Sequence, residues 1–336
     1  MIISRTPFRV SLFGGGTDYP AWFREHGGAV LGGSIDKYCY ISARYLPPHF
    51  DHLSRIVYSK EEWVNNNREI EHPAVRECLK FLGITRGMEI SHSSDLLARR
   101  GMGTSSAFVV GLLHALMSFE RSNVNKERLA NLAIKVEQDW IKENVGCQDQ
   151  YHSAVGGFNL LKFKPNGGVE ITPFEGHQLE PYLMLFDTGN TRIASHIAQA
   201  QIALIPRKQS ELEQMGALTH GAAVALTAGK IEDVARMLNE SWQIKRGLSD
   251  KITTSEIDGL YHTALSAGAW GGKLLGAGGG GHILFIVEPD KQGKVIKALD
   301  GLRLVPFKFE DTGSQIIFRD DEVPVRTGWG EESNSR

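Results

Sequence analysis

Cysteine is scarce in this 336-residue chain. There are three, Cys39, Cys78 and Cys147, with no C-x-x-C pair. So few, so far apart, exclude a disulfide framework and argue against a structural zinc site. Among twelve histidines the nearest approach to a ligand pair is His49 with His52, and with no second pair beside it the expectation is a polar loop. An excess of charge of either sign is also missing. Lys+Arg 37 against Asp+Glu 39 gives a net charge of -2, which leaves no electrostatic footprint for nucleic acid or an anionic membrane. No apolar run approaches the ~18–20 residues that span a bilayer. Met1–Ile3 runs straight into Ser4-Arg5-Thr6-Pro7, without the basic-then-apolar opening of a signal peptide. These absences predict a soluble, reduced, cytoplasmic protein with no nucleic-acid or membrane partner; they leave a homodimer open.

What is present is enough apolar material for one or two cores, 41% hydrophobic against 23% charged, and the length favours two domains. The unusual component is glycine, 37 residues, well above the background of about 7%. Glycine inside a helix or strand weakens it by ~0.5–1 kcal/mol, so the surplus has to be explained by position.

Period-two patterns predict strands at Arg9–Phe13, Ala29–Leu31 and Lys37–Tyr45. Glu61–Leu82 reads as mixed and mostly helical, broken by Pro73. Thr104–Phe119 is apolar almost all round, the mark of a helix buried on every side. Asn125 caps a second helix with Leu129, Leu132, Ala133, Val136 and Trp140 on one face. Short strands follow at Phe158–Lys164 and Tyr182–Asp187, then helices from about Ser195 to Ala267, a strand at His282–Glu288 and a helix around Gly293–Leu302. The expected class is α+β in two parts, 1–175 and 176–336.

Glycine gathers in three windows: seven in residues 14–33, two in 101–103 and eight in 268–281. In the middle window Gly101-Met102-Gly103-Thr104-Ser105-Ser106 leads into the buried helix. Its glycines allow a tight turn, and three hydroxyl residues fill the first helical turn, where free N–H groups and the dipole favour an anion. Such a turn holds a phosphate and one magnesium ligand, or else Thr104 or Ser105 is only an N-cap. The third window contains Gly276-Ala277-Gly278-Gly279-Gly280-Gly281, which satisfies G-x-G-x-x-G. A dinucleotide fingerprint must open a helix, and here a strand, HILFIV, follows. Gly278 and Gly279 are expected in a backbone wall against a substrate or against the other loop. In the first window Gly16, Thr17 and Asp18 form a turn that would let a sugar hydroxyl reach the carboxylate, the alternative being an ordinary turn aspartate. Glu137 on the second helix and Asp149 after it are carboxylates that a rigid element would position, Asp149 as a general base, or else caps and solvated residues.

In this order the three windows resemble the GHMP small-molecule kinases, the superfamily of galactokinase, homoserine kinase, mevalonate kinase and phosphomevalonate kinase. RTPFRVSLFGGGTDYP with GMGTSSAFVVGLLHAL looks most like the D-glycero-D-manno-heptose 7-phosphate kinases; fucokinase-type domains open similarly. The resemblance implies a first half like the second domain of ribosomal protein S5 and a ferredoxin-like second half. It implies an ATP- and Mg2+-dependent transfer of phosphate to the anomeric hydroxyl of a heptose 7-phosphate. On it, Gly101 to Ser106 cradle ATP phosphates, Ser105 and Glu137 hold magnesium, Asp149 is the catalytic aspartate with Arg9 as its cation, and Asp18 binds the sugar. The 7-phosphate requires a cationic clamp, for which Arg192 and Lys273 are candidates, each equally readable as a surface charge; Tyr58 and Trp63 are candidates for adenine. Where the family has a Pro and another Gly before the phosphate loop, this chain has Leu97 and Arg99, then Arg100; the two arginines are expected to reach solvent rather than phosphate. A kinase for an unphosphorylated sugar and a nucleotide-binding regulator without turnover are the competing readings.

Overall fold

Residues 1–98, 100–120, 124–189 and 194–320 are described by a computed structural model of the chain. Its elements run β1 (Ile2–Phe13), α1 (Pro20–His26), β2 (Gly28–Tyr45), β3 (Ser54–Val57), β4 (Glu61–Val64), α2 (Pro73–Phe81), β5 (Met88–Ser94) and α3 (Thr104–Met117). Then come α4 (Lys126–Lys135), α5 (Gln148–Val155), β6 (Phe158–Phe163), β7 (Val169–Phe174), β8 (Leu183–Asp187), α6 (Ala194–Leu204), α7 (Gln209–Thr227), α8 (Ile231–Arg246) and α9 (Ser255–Ser266). The chain closes with β9 (Ala269–Leu274), β10 (His282–Val287), α10 (Gln292–Ala298), β11 (Arg303–Leu304) and β12 (Gln315–Arg319).

The architecture is α+β with two sheets. The first has the order β12-β1-β2-β5-β3-β4, with β6 on β2 and β7 on β6; the second is β11-β8-β10-β9. Every pairing is antiparallel except β3 with β5. The two expected strands Ala29–Leu31 and Lys37–Tyr45 are one strand of 18 residues. It stays extended through Gly32 and Gly33 because β1 and β6 hydrogen-bond to it from both sides there. The first sheet draws strands from Ile2 to Phe174 and the second from Leu183 to Leu304, after which β12 returns to the outer edge of β1.

Between the first sheet and its helical cover runs α3. Every residue from Ser106 to Leu116 is buried, as its all-round apolar pattern requires, and it packs on β1 and β2 and against α2, α4 and α5. The second sheet is centred on β10, buried at all six positions, and is covered by α8 and α9, which pack on β9.

Glu61–Leu82 is mixed and mostly helical, through Asn67–Glu69 and α2, but it opens with a strand. Burial alternates exposed–buried along Glu61–Val64, a strand's period of two, and this stretch pairs with β3. Pro73 does not break a helix but begins one, at a position where its missing N–H leaves no bond unmade; His72 Nδ1 accepts from the Val75 N–H of that first turn. The expected cap at Asn125 is present, its Oδ1 accepting from Arg128 N at 2.9 Å. The helix it starts does not continue as α to Trp140. Val136–Ile141 is π-helical and ends at Lys142, whose φ is 62°.

Candidate active site

Two charged side chains 140 residues apart in sequence meet at the opening of α3. Arg9, on β1, and Asp149, in the first turn of α5, form a two-pronged ion pair, Nε to Oδ1 and Nη2 to Oδ2, both 2.7 Å. The remaining guanidinium nitrogen, Nη1, donates to Gly101 O at 2.7 Å, and Arg9 N donates to Met102 O. One arginine therefore fixes both the carboxylate and the glycine turn. Its side chain is 5% exposed while that of Asp149 is 24% exposed, so the carboxylate is the partner that faces outward. A fork-to-fork pair of this kind fixes orientation as well as charge, and the helix start favours the anion.

The glycines of the turn are required by what lies against them. Gly101 and Gly103 have φ of +76° and +71°, a region that side-chain-bearing residues avoid. A β-carbon on Gly101 would stand 2.5 Å from Leu275 O, and one on Gly276 would stand 2.6 Å from Gly101 Cα. The third glycine window thus lies backbone to backbone on the phosphate-loop candidate. Gly279 N donates to Ile252 O at 2.8 Å, and a β-carbon on Gly278 would meet Ile252 at 2.7 Å, so this part of the loop is seated on the segment after α8. At the start of α3, where the first-turn N–H groups have no partner within the helix, Ser105 is exposed and Ser106 is buried. This is the geometry of an anion site.

Asp18 is 2% exposed and is held by main-chain donors. Its Oδ1 accepts from Gly16 N at 3.0 Å, and its Oδ2 accepts from Cys147 N at 3.1 Å and Gln148 N at 3.2 Å. It ties the first glycine window to the residues just before Asp149. Burial, the largest influence, raises its pKa; the Gly16 and Gln148 N–H groups pull against that, and Asp149 adds to it. Thr17 spends its hydroxyl inside the turn, donating to Gly14 O and Ala29 O and accepting from Ala29 N.

Glu137 sits in the π-helical stretch, fully buried. Its Oε1 accepts from Ser106 Oγ at 3.0 Å and its Oε2 from Gln150 Nε2. Burial, the dominant cause, pushes its pKa up to about 8. The serine that touches this carboxylate is Ser106. No group of three or more His, Cys, Asp or Glu residues that would cage a metal occurs among the described residues. A magnesium ion is usually held by one or two carboxylates together with substrate phosphates. A buried carboxylate that resists ionisation is also one that a cation would relieve.

The other expected residues divide. Arg192 and Arg99 lie outside the described residues. Lys273 is no surface charge: it is 3% exposed and its Nζ donates to Leu12 O at 2.9 Å. Arg100 does not reach solvent either. It is buried and paired with Asp187 at the end of β8, and its carbonyl accepts from His282 N, tying the start of the Gly101–Ser106 turn to the second sheet. Tyr58 stands edge-on to His72, which stacks on Phe108 of α3; Trp63 is 65% exposed and lies on His52.

Lys245 escaped the sequence reading. It is buried beside the glycine loop, donating to Gly276 O at 2.9 Å, and burial pushes its pKa down to about 8. The available signal was spacing, since Lys245 continues the buried face Val234, Leu238, Ser241 and Trp242 of α8. No helix among the described residues is long and apolar enough to cross a membrane.

The GHMP kinases N terminal domain matches residues 68–157 and the GHMP kinases C terminal domain matches residues 222–302. The D-glycero-alpha-D-manno-heptose 7-phosphate kinase of Campylobacter jejuni is 29% identical over 318 residues, 89% of this chain and 93% of that protein. A mevalonate kinase of Pyrococcus horikoshii is 30% identical over 63% of each chain. Among solved structures, a D-glycero-D-manno-heptose 1-phosphate kinase from Bacteroides thetaiotaomicron shares the fold with a TM-score of 0.76 and 24% identity, covering 95% of this chain and all of that one.

Proposed function

The chain belongs to the GHMP kinases, and on that premise we propose that it is an ATP-dependent sugar kinase that phosphorylates the anomeric hydroxyl of D-glycero-D-manno-heptose 7-phosphate. The observation that carries the reading is the Arg9–Asp149 pair, locked to Gly101 at the mouth of α3. The choice of heptose rests on the Campylobacter relative, which is similar over nearly the full length of both chains.

Phosphoryl transfer depends mainly on alignment and on neutralising charge. In this reading the N–H groups at the start of α3 and the Gly101–Ser106 turn hold the phosphates of ATP. Asp18 fixes the loop that meets the sugar and offers its remaining lone pairs to hydroxyl groups. Each oxygen of Asp149 keeps a lone pair not used by Arg9, and one of them takes the proton of the anomeric hydroxyl. The sugar's anomeric oxygen then bonds to the γ-phosphorus as the bond to the β-phosphate oxygen breaks, and ADP leaves. Arg9 orients the carboxylate and stabilises charge at the centre. Ser105 and Glu137 are the residues assigned to magnesium, whose chemistry when bound is to neutralise the β- and γ-phosphates. Residues 1–175 would carry the phosphate loop and Asp149, and residues 176–336 the third glycine window.

The test is ADP release with D-glycero-D-manno-heptose 7-phosphate, the same heptose without phosphate, fucose and galactose. The reading expects kcat/KM to be highest for the phosphorylated heptose. Preference for an unphosphorylated sugar would overturn the substrate, and no sugar-dependent ADP release at all would overturn the activity.

A further inference from the structure

Lys245 poses a problem that the proposed reaction does not absorb. An ammonium carries three N–H donors, and its one hydrogen bond among the described residues goes to Gly276 O. It has no ion pair there either. The two carboxylates close enough to act on it electrostatically are Asp18 and Asp149, and both are taken, Asp18 by three main-chain N–H groups and Asp149 by Arg9. Lys273, also buried and within electrostatic reach of Lys245, gives its bond to Leu12 O and offers it no compensation. A buried charge without a partner is strongly disfavoured, so the arrangement calls for an anion.

The place where donors gather is beside Gly15. A β-carbon placed there would stand 3.5 Å from Lys245 Nζ, 3.4 Å from Gln148 Nε2 and 3.6 Å from Ser11 Oγ. All three side chains are more than nine-tenths buried. Among the described residues Ser11 Oγ has no hydrogen-bond partner. A polar group this well buried is almost always bonded, and here it stands with two N–H donors, Lys245 Nζ and Gln148 Nε2, around the place that Gly15 leaves without a side chain.

We propose that Lys245, with Gln148 and Ser11, is an oxyanion-binding group of the site, taking a phosphate oxygen in the space over Gly15. This rests on the kinase reading for its role but not for its binding. Gly15 shares a loop with Asp18, and Gly276, which Lys245 holds, lies against Gly101 of the phosphate turn. The ammonium therefore stands between the two places from which a phosphate would come, the group in transfer and a phosphate already on the acceptor.

The experiment compares Lys245→Met, Lys245→Arg and Gly15→Ala with the wild type. Gly15 is not in the left-handed region and its added methyl would make ordinary contacts, so Gly15→Ala should fold and fill the space; circular dichroism checks both sites. The first readout is the rise in Tm with inorganic phosphate, which requires no turnover. The wild type should show it, Lys245→Arg should keep most of it, and Lys245→Met and Gly15→Ala should lose it. The second readout is kinetic and separates the sources. A tenfold or larger rise in KM for the phosphorylated acceptor alone assigns the acceptor's phosphate, and a tenfold or larger fall in kcat with every acceptor, at unchanged KM, assigns the group in transfer. Wild-type phosphate responses in both Lys245→Met and Gly15→Ala would overturn the proposal. A wild type that binds phosphate through Lys245 yet phosphorylates no sugar would leave it standing and remove the kinase reading instead.

Discussion

Replacing Lys245 by methionine should make the protein without ligands more stable at neutral pH. The ammonium is fully enclosed, and burial, with Arg9 adding to it against the opposing pull of Asp18 and Asp149, brings its pKa from the ordinary 10.5 down to about 8. At 1.36 kcal/mol per pH unit, that fall sets about 3 kcal/mol against the folded state wherever the lysine is charged. Methionine is flexible, apolar and of similar length. It removes that penalty but also the bond to Gly276 O, worth about 1 kcal/mol, for a net gain of about 2 kcal/mol. The sign of the pH dependence follows from which state holds more protons. Below pH 8 both states keep the proton and the penalty is complete. Between 8 and 10.5 the unfolded chain holds more protons than the folded one, so wild-type stability rises with pH. The variant lacks that rise, and its advantage should shrink toward zero across the same window. Urea unfolding at pH 7 and at pH 10 measures this. A variant less stable than wild type at pH 7, or a difference that does not change with pH, would refute the argument that the ammonium is uncompensated.

Asp149→Asn should lower kcat by ~10² or more, the usual range for general acid–base catalysis, and leave the KM for ATP nearly unchanged in an ADP-release assay. Arg100→Met should destabilise the protein by about 3 kcal/mol in urea unfolding, because it strands Asp187 in a largely buried pair; an unchanged midpoint would show that the tie between the Gly101–Ser106 turn and the second sheet contributes nothing. Burial, helped by Lys126 and Arg319, lowers the pKa of His114 from 6.5 to about 4. The unfolded chain therefore takes up a proton first on acidification, and about 3 kcal/mol of stability should be lost between pH 6.5 and 4. His114→Gln should flatten that part of the stability–pH curve, and a parallel curve would contradict the assignment.

Much of this was legible where local chemistry and packing agree. The all-round apolar run of α3 and the HILFIV strand need burial on every side wherever they sit, and both are core elements. The strand after Gly276–Gly281 removed the dinucleotide reading, and the loop lies on the Gly101–Ser106 turn, one of the two places expected of it. What was not legible depends on partners distant in sequence or on rotation about a helix. Nothing local to Arg100 announces Asp187, 87 residues on. With 3.6 residues per turn, neighbouring Ser105 and Ser106 point about 100° apart, and the register set by Gly103 as the cap decides that Ser106 faces Glu137. A lysine on a helix ordinarily reads as solvated, so Lys245 was visible only through the spacing of its buried face. In Glu61–Val64 the two acidic residues hid a strand whose alternation is carried by burial rather than by residue type.

Transfer of phosphate to the anomeric oxygen is the central claim, and phosphorus NMR of the product tests it most directly. With ATP, magnesium and D-glycero-D-manno-heptose 7-phosphate, the wild-type protein should generate ADP and a second sugar phosphate whose phosphorus couples to the anomeric proton, and Asp149→Asn should not. A new phosphate coupled to any other position, or none while ATP is hydrolysed, would contradict the account.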